Sequence, residues 1–215
     1  MTKTRIYKSL SALVLFLWLG SAPALAQYGV QYSYLSPAGD NVYIFNPASG
    51  IALTYTTGVI DTSRTRFNFS IGYYKLSPTQ DSFPNYRVSN GKLYPGYDIV
   101  KNFVVFPLSA GIEYHPFEGR LNPYVGIDLN VSIISYSYHD YIENLQNDDK
   151  SETDWALGLY PKIGLGYVIN QNWLVAAGIG YNFELAGSSS ANNQSFVKSF
   201  LSLSYYLSRP TAKQK

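Results

Sequence analysis

The stretch Val125-Gly126-Ile127-Asp128-Leu129-Asn130-Val131-Ser132-Ile133 decides the fold. Every odd position is aliphatic, and every even position is tiny or polar. Successive side chains of a β-strand face opposite sides, so this segment has one apolar face and one small, polar face. A helix would mix the two sets around its surface.

The same period of two recurs on both sides. Leu157, Leu159, Pro161, Ile163, Leu165 and Tyr167 alternate with Gly158, Tyr160, Lys162, Gly164 and Gly166. The segments Val104–Tyr114, Trp173–Leu185 and Val197–Leu207 behave alike, and Tyr28–Leu35, Ile51–Val59 and Arg66–Leu76 do so more weakly. These are eight predicted strands. A soluble sandwich, or a secreted lipocalin-like barrel, would bury its apolar face and charge its outer one. Here the non-apolar face is rich in Gly, Ser and Asn and carries few charges. That polarity suits a narrow barrel interior, with lipid against the continuous apolar face. Closure into a barrel also satisfies every strand edge, as lipid demands.

The connections alternate in length. Residues 37–50, 77–97, 138–153 and 187–194 are long, whereas 60–65, 115–122 and 169–172 are short. Short periplasmic turns with longer extracellular loops follow the pattern of outer-membrane barrels. Ile169-Asn170-Gln171-Asn172 reads as a tight hairpin, and Pro116 and Gly119 break the chain in another turn. Aromatic residues gather near strand ends, among them Tyr114, Tyr124, Tyr136, Trp155, Trp173 and Tyr205, as interfacial girdles do.

The chain begins with a basic region (Lys3, Arg5, Lys8), an apolar run from Leu10 to Gly20, and Ala24-Leu25-Ala26. That order predicts a cleaved secretory leader over 1–26. The run is too short for a membrane-spanning helix of ~20 residues. The leader holds three of the 16 basic side chains and none of the 14 acidic ones, leaving 13 against 14. No basic field remains for nucleic acid. There is no cysteine, hence no disulfide and no lipidated cysteine. The sequence therefore predicts an all-β chain: an eight-stranded antiparallel transmembrane β-barrel, a meander, over 27–207, followed by a short polar periplasmic tail over 208–215.

The stretch LSAGIEYHPFEGRLNPYVGIDLNV (residues 108–131) carries a resemblance. Its marks are Gly111-Ile112-Glu113-Tyr114, a turn with Pro116, and Pro123-Tyr124-Val125-Gly126. It resembles the periplasmic hairpin of small outer-membrane β-barrel domain proteins of the Bacteroidetes type, related to OmpA-, OmpX- and OmpW-like barrels. The resemblance implies location in the bacterial outer membrane, contact with its lipid, and assembly by the barrel-assembly machinery. Such barrels serve as envelope anchors, adhesins, small pores or secretion accessories, and the fold does not choose among these. Members often finish on a terminal aromatic residue; here Tyr205-Tyr206-Leu207 precedes a polar tail.

Five charges fall on the predicted interior face: Glu113, Asp128, Lys162, Glu184 and Lys198. A buried charge needs a partner, so two luminal pairs are expected, Asp128–Lys162 and Glu184–Lys198. An eight-stranded interior is just wide enough for side chains to fill, which predicts a plugged lumen. The connection 138–154 holds Asp140, Glu143, Asp148, Asp149, Glu152 and Asp154 against Lys150 alone. Oxygen ligands there suit a divalent cation, but the spacing matches no EF-hand, and a solvated acidic loop is the expected reading. No metal or other cofactor is expected. Ser137, His139 and Asp140 form the one local set that resembles acid–base machinery, and as strand neighbours they diverge. The function expected is non-enzymatic: a structural or surface-binding barrel that meets an extracellular ligand through its loops. The alternatives are a small pore for ions or small hydrophobic molecules and an accessory subunit of a secretion or uptake complex.

Overall fold

The computed structural model describes residues 26–58, 64–89, 91–117, 119–142, 148–188 and 195–207. The leader expected over 1–26 (apart from Ala26), the polar tail over 208–215 and most of the connections 60–65 and 187–194 lie outside the described residues. Among the described residues nine strands follow in order: β1 (Gln27–Pro37), β2 (Ala48–Gly58), β3 (Thr65–Leu76), β4 (Phe83–Ser89), β5 (Lys92–Tyr114), β6 (Leu121–Ile142), β7 (Asp148–Val168), β8 (Trp173–Gly187) and β9 (Phe196–Tyr206). A short 3-10 helix, Gly39–Tyr43, lies between β1 and β2.

Neighbouring strands pair antiparallel. The sheet closes where β1 meets β9, from Gln27↔Tyr206 to Pro37↔Phe196, and where β3 meets β5, from Thr65↔Tyr114 to Leu76↔Phe103. Eight strands thus form a closed antiparallel barrel, and β4 is an extra strand outside it. Closure is what leaves the spanning backbone without an edge. Pro107 and Pro161 each coincide with a local break in a ladder, β3–β5 and β7–β8, where a residue without an N–H costs least.

The alternation reads directly onto the wall. Val125, Ile127, Leu129, Val131 and Ile133 are exposed on the outside, while Tyr124, Asp128, Ser132 and Ile134 are buried inside. An apolar outer belt with a small, polar lining is the arrangement lipid requires.

Two long connections differ from the sequence reading. Residues 77–97 and 138–153 are largely strand: they hold β4 and the far ends of β5, β6 and β7. The outward apolar run of β6 ends at Ile133, yet the strand continues to Ile142, about 30 Å further along its axis. There β4, β5, β6 and β7 form a four-stranded antiparallel sheet standing beyond the barrel rim. Its outer surface first turns polar, with Ser135, Ser137, Ser151 and Thr153. A strand outside the apolar belt needs no apolar alternation, so periodicity alone did not reveal it.

One edge of this sheet is β4, and its chemistry resists strand addition. Pro84 lacks an N–H, and the Tyr86 N–H, which points the same way, donates to Asn85 Oδ1 (2.7 Å). Proline and local capping are common ways to blunt an exposed edge.

Candidate functional site

The lumen is filled in layers. At the short-turn end Val168, Leu174 and Tyr206 pack together. Above them His115 is buried, its Nδ1 2.9 Å from Asn122 Oδ1 and its ring 5.2 Å from that of Tyr124. The next layer is ionic. Lys162 Nζ donates to Asp128 Oδ2 at 2.9 Å and to Glu113 Oε1 at 2.8 Å. Asn68 Nδ2 donates to the same Glu113 oxygen at 2.9 Å, and Glu113 Oε2 lies 3.4 Å from His115 Nε2.

The alternation placed Glu113, Asp128 and Lys162 inside, and the fold brings all three together. The second contact, Lys162 to Glu113, crosses the whole of β6. Gly126 makes that crossing possible, since it is the register partner of both Glu113 and Lys162. A Cβ there would sit 2.9 Å from Lys162 Cε and 3.1 Å from Glu113 Cγ. A polar cavity of about 60 Å³ adjoins this set, reaching Gln31, Asn68, Ser202 and Ser204. It has room for a few waters.

The expected Glu184–Lys198 pair does not form. The Glu184 carboxylate lies towards Gly187, where a Cβ would come within 2.6 Å of Oε1. Lys198, register partner of Gly180, instead places its ammonium 5.2 Å from the Tyr160 ring centroid and 5.8 Å from that of Tyr74. The physical reason is position: the two residues sit at different heights of the β8–β9 pair, and two aromatic faces lie nearer the ammonium.

The long-strand end of the barrel is plugged by apolar side chains. Leu35, Phe45, Tyr74, Leu76, Phe103, Ile134 and Phe196 form one buried cluster. Phe45 comes from the β1–β2 connection and lies 4.4 Å from Phe103. That connection is tied down to the β3–β4 connection by Asn46 N to Ser77 O and by Thr79 N to Ile44 O, both 2.8 Å.

Of the acidic residues, Asp140, Asp149, Glu152 and Asp154 lie on the two faces of paired strands rather than on a loop. Asp140 binds Lys150. Asp149 accepts from Lys101 (2.6 Å) and His139 (2.8 Å). Glu152 accepts from the Tyr136 and Tyr138 hydroxyls, each at 2.7 Å, and Asp154 accepts from Tyr136 at 3.2 Å. Asp148 holds the register position opposite Asp140, and Glu143 lies outside the described residues. Lys101 was absent from the sequence account because it belongs to a different strand. No set of three His, Cys, Asp or Glu side chains suited to a metal occurs among the described residues. His139 turns to Asp149 while its neighbour Asp140 turns to Lys150 on the opposite face, so Ser137, His139 and Asp140 do not converge.

Electrostatics beyond the apolar belt follow these contacts. Hydrogen bonds from Lys101 and His139 hold Asp149 below its ordinary 3.8. Burial pushes Asp98 up against the opposing effect of Asn85, and Asp140, its register partner, pushes it further. Burial and the adjacent Glu152 push the Tyr138 hydroxyl up to about 12.

The outer face of the same sheet is apolar and aromatic at its far end. Tyr86, Val88 and Leu93 are among the most exposed large side chains, and Tyr97 and Tyr141 stack at 4.7 Å.

Comparison with known proteins gives the following. The sequence profile described as outer membrane protein beta-barrel domain matches residues 12–204. No curated protein matches the chain. Among solved structures, a major outer membrane protein from Thermus thermophilus is similar at 12% identity and TM-score 0.52, covering 84% of this chain and 98% of that one. Neisserial surface protein A is similar at 16% identity and TM-score 0.45, covering 85% and 94%. OprG from Pseudomonas aeruginosa is similar at 12% identity and TM-score 0.46, covering 88% and 99%.

Proposed function

The chain belongs to the outer membrane protein β-barrel domain family and is an outer-membrane protein, and from that premise we propose that it is a non-enzymatic surface barrel that works through its projecting sheet. The observation that carries this reading is a division of labour along the long axis. The lumen is closed at both ends by packed side chains, and β4 to β7 carry an aromatic and apolar surface up to about 30 Å further along the strands than the lipid belt. Exposed patches of that kind mark binding surfaces more often than they mark nothing. The continuous β4–β5–β6–β7 ladder holds Tyr86, Tyr97 and Tyr141 on one face, which preorganises them for an extracellular ligand. The short turns, with the start of β1 and the end of β9, then face the periplasm, and lipid covers the outer belt. The kinship with Bacteroidetes barrels belongs to this same reading.

A pore would require the Phe45 plug and the Lys162 layer to move together. Single-channel recording of residues 27–215 refolded into a planar bilayer is the deciding experiment. A folded, silent barrel is expected, and stable salt-dependent steps would replace this reading with the transport one. Orientation is checked on whole cells, because the chain has no cysteine of its own. Val88→Cys should react with a membrane-impermeant maleimide and Gln171→Cys should not; the reverse pattern overturns the assignment of the sheet to the outside.

A further inference from the structure

Among the described residues, Lys198 is a luminal cation set against aromatic rings rather than carboxylates. The carboxylates nearest in the lower layers, Glu113 and Asp128, are committed to Lys162 at 2.8 and 2.9 Å. A cavity of about 40 Å³ lies above the Tyr160 ring, and Lys198 lines it with Tyr74, Ser132, Asn130 and Asn182. No carboxylate is among its lining residues. Tyr74 is 1% exposed, and its hydroxyl has no hydrogen-bond partner in the protein. Ser132 Oγ accepts from Asn130 Nδ2 at 3.4 Å and keeps its own proton to give.

An ammonium in a low-dielectric lumen needs a counter-charge, and ring faces supply only a partial one. A buried hydroxyl without a partner is likewise costly. One occupant answers both. We propose that this cavity is a binding site for a small monovalent anion, of halide or nitrate size, held between the Lys198 ammonium and the Tyr74 hydroxyl. The ammonium supplies the charge. The Tyr74 and Ser132 hydroxyls supply directional donors, and the apolar plug above, with Phe196 and Leu35 in the cavity wall, keeps bulk water from competing. The volume is enough for one such ion.

The probe is chloride, followed by ³⁵Cl line broadening on the refolded mature chain in micelles, with nitrate as competitor. Broadening that nitrate reverses is expected in the wild type, together with its loss in Lys198→Met. Lys101→Met, on the outer sheet, should leave it unchanged. Tyr74→Phe keeps the ring over the lysine and should weaken binding by about tenfold. Wild-type protein without nitrate-sensitive broadening, or Lys198→Met with undiminished broadening, overturns the site. If Lys198→Met does not give the heat-modifiable folded form, Tyr74→Phe decides: unchanged binding overturns the proposal and weakened binding supports it. A bromide soak of crystals should place an anomalous peak between Lys198 Nζ and the Tyr74 hydroxyl, and its absence at saturating bromide counts against the site.

Discussion

Tyr74 lies across Gly50, its register partner on the neighbouring strand, and its ring fills the space a Cβ at Gly50 would occupy. The pattern repeats around the lumen. Tyr124 covers Gly164, Phe200 covers Gly178, and Tyr160 covers Gly180. These four inner glycines are therefore sockets for inner aromatics, and the pairs fill a bore too narrow for two large side chains abreast. Gly50→Ala should destabilise the refolded barrel by about 1–3 kcal/mol through overpacking. Gly119→Ala, in the β5–β6 turn where a Cβ would make only ordinary contact with the Leu121 carbonyl oxygen at 3.7 Å, should change stability by less than about 0.5 kcal/mol. Urea midpoints in the same detergent compare the two, and equal midpoints would contradict the socket account.

Lys162 serves two carboxylates, so its removal should cost more than the loss of one contact. Lys162→Met leaves Glu113 and Asp128 facing each other without a cation, and about 3–5 kcal/mol of destabilisation is expected. Adding Glu113→Gln and Asp128→Asn to the same chain should recover most of it. The recovery is the informative measurement: a triple variant as unstable as the single one means that the lysine acts through packing rather than charge.

Asp149 reports on the outer sheet by titration. Its carboxyl is held below 3.8, first by the hydrogen bond from Lys101 and then by that from His139. A depressed folded value means that the contact stabilises the sheet above the unfolded value and that this contribution is lost as pH falls through the folded one. The window therefore lies below about pH 4. Carboxyl ¹³C NMR should give a midpoint below 3.8 for Asp149 and a higher midpoint in Lys101→Ala. An unchanged midpoint shows that the β5–β7 contact does not persist in solution.

Pro84 protects an edge. Replacing it with valine restores an outward N–H on β4 beside Tyr86 and Val88, both exposed. The expected result is concentration-dependent association of a barrel that is otherwise monodisperse, seen by light scattering. Pro84→Val with unaltered scattering would show that Asn85, which caps the Tyr86 N–H, suffices alone.

Legibility differed between the two halves of the molecule. Within the lipid belt, Val125 to Ile133 alternate because every second residue meets hydrocarbon, and the inward set of Asp128, Asn130 and Ser132 follows from that alone. Beyond Ile133 the constraint vanishes. Ser135, Ser137 and His139 alternate with Tyr136, Tyr138 and Asp140, polar on both sides, so a strand reads like a loop. The residues that turn this region into a sheet, Lys92 to Asn102 and Phe83 to Ser89, lie far away in sequence, and β-pairing between distant segments leaves no local trace.

The sequence by itself determined the barrel, its compartment and the inward placement of Glu113, Asp128, Lys162, Glu184 and Lys198, because lipid imposes a period of two on every spanning strand. The tertiary structure alone decided which of those charges meet. The inter-strand register sets that, together with a glycine at 126 that lets Lys162 reach across β6 to Glu113. Register also separated Glu184 from Lys198 and set that ammonium over Tyr160 and Tyr74. A difference of a few residues in height along neighbouring strands exceeds the reach of a side chain, and only the closed sheet specifies that height.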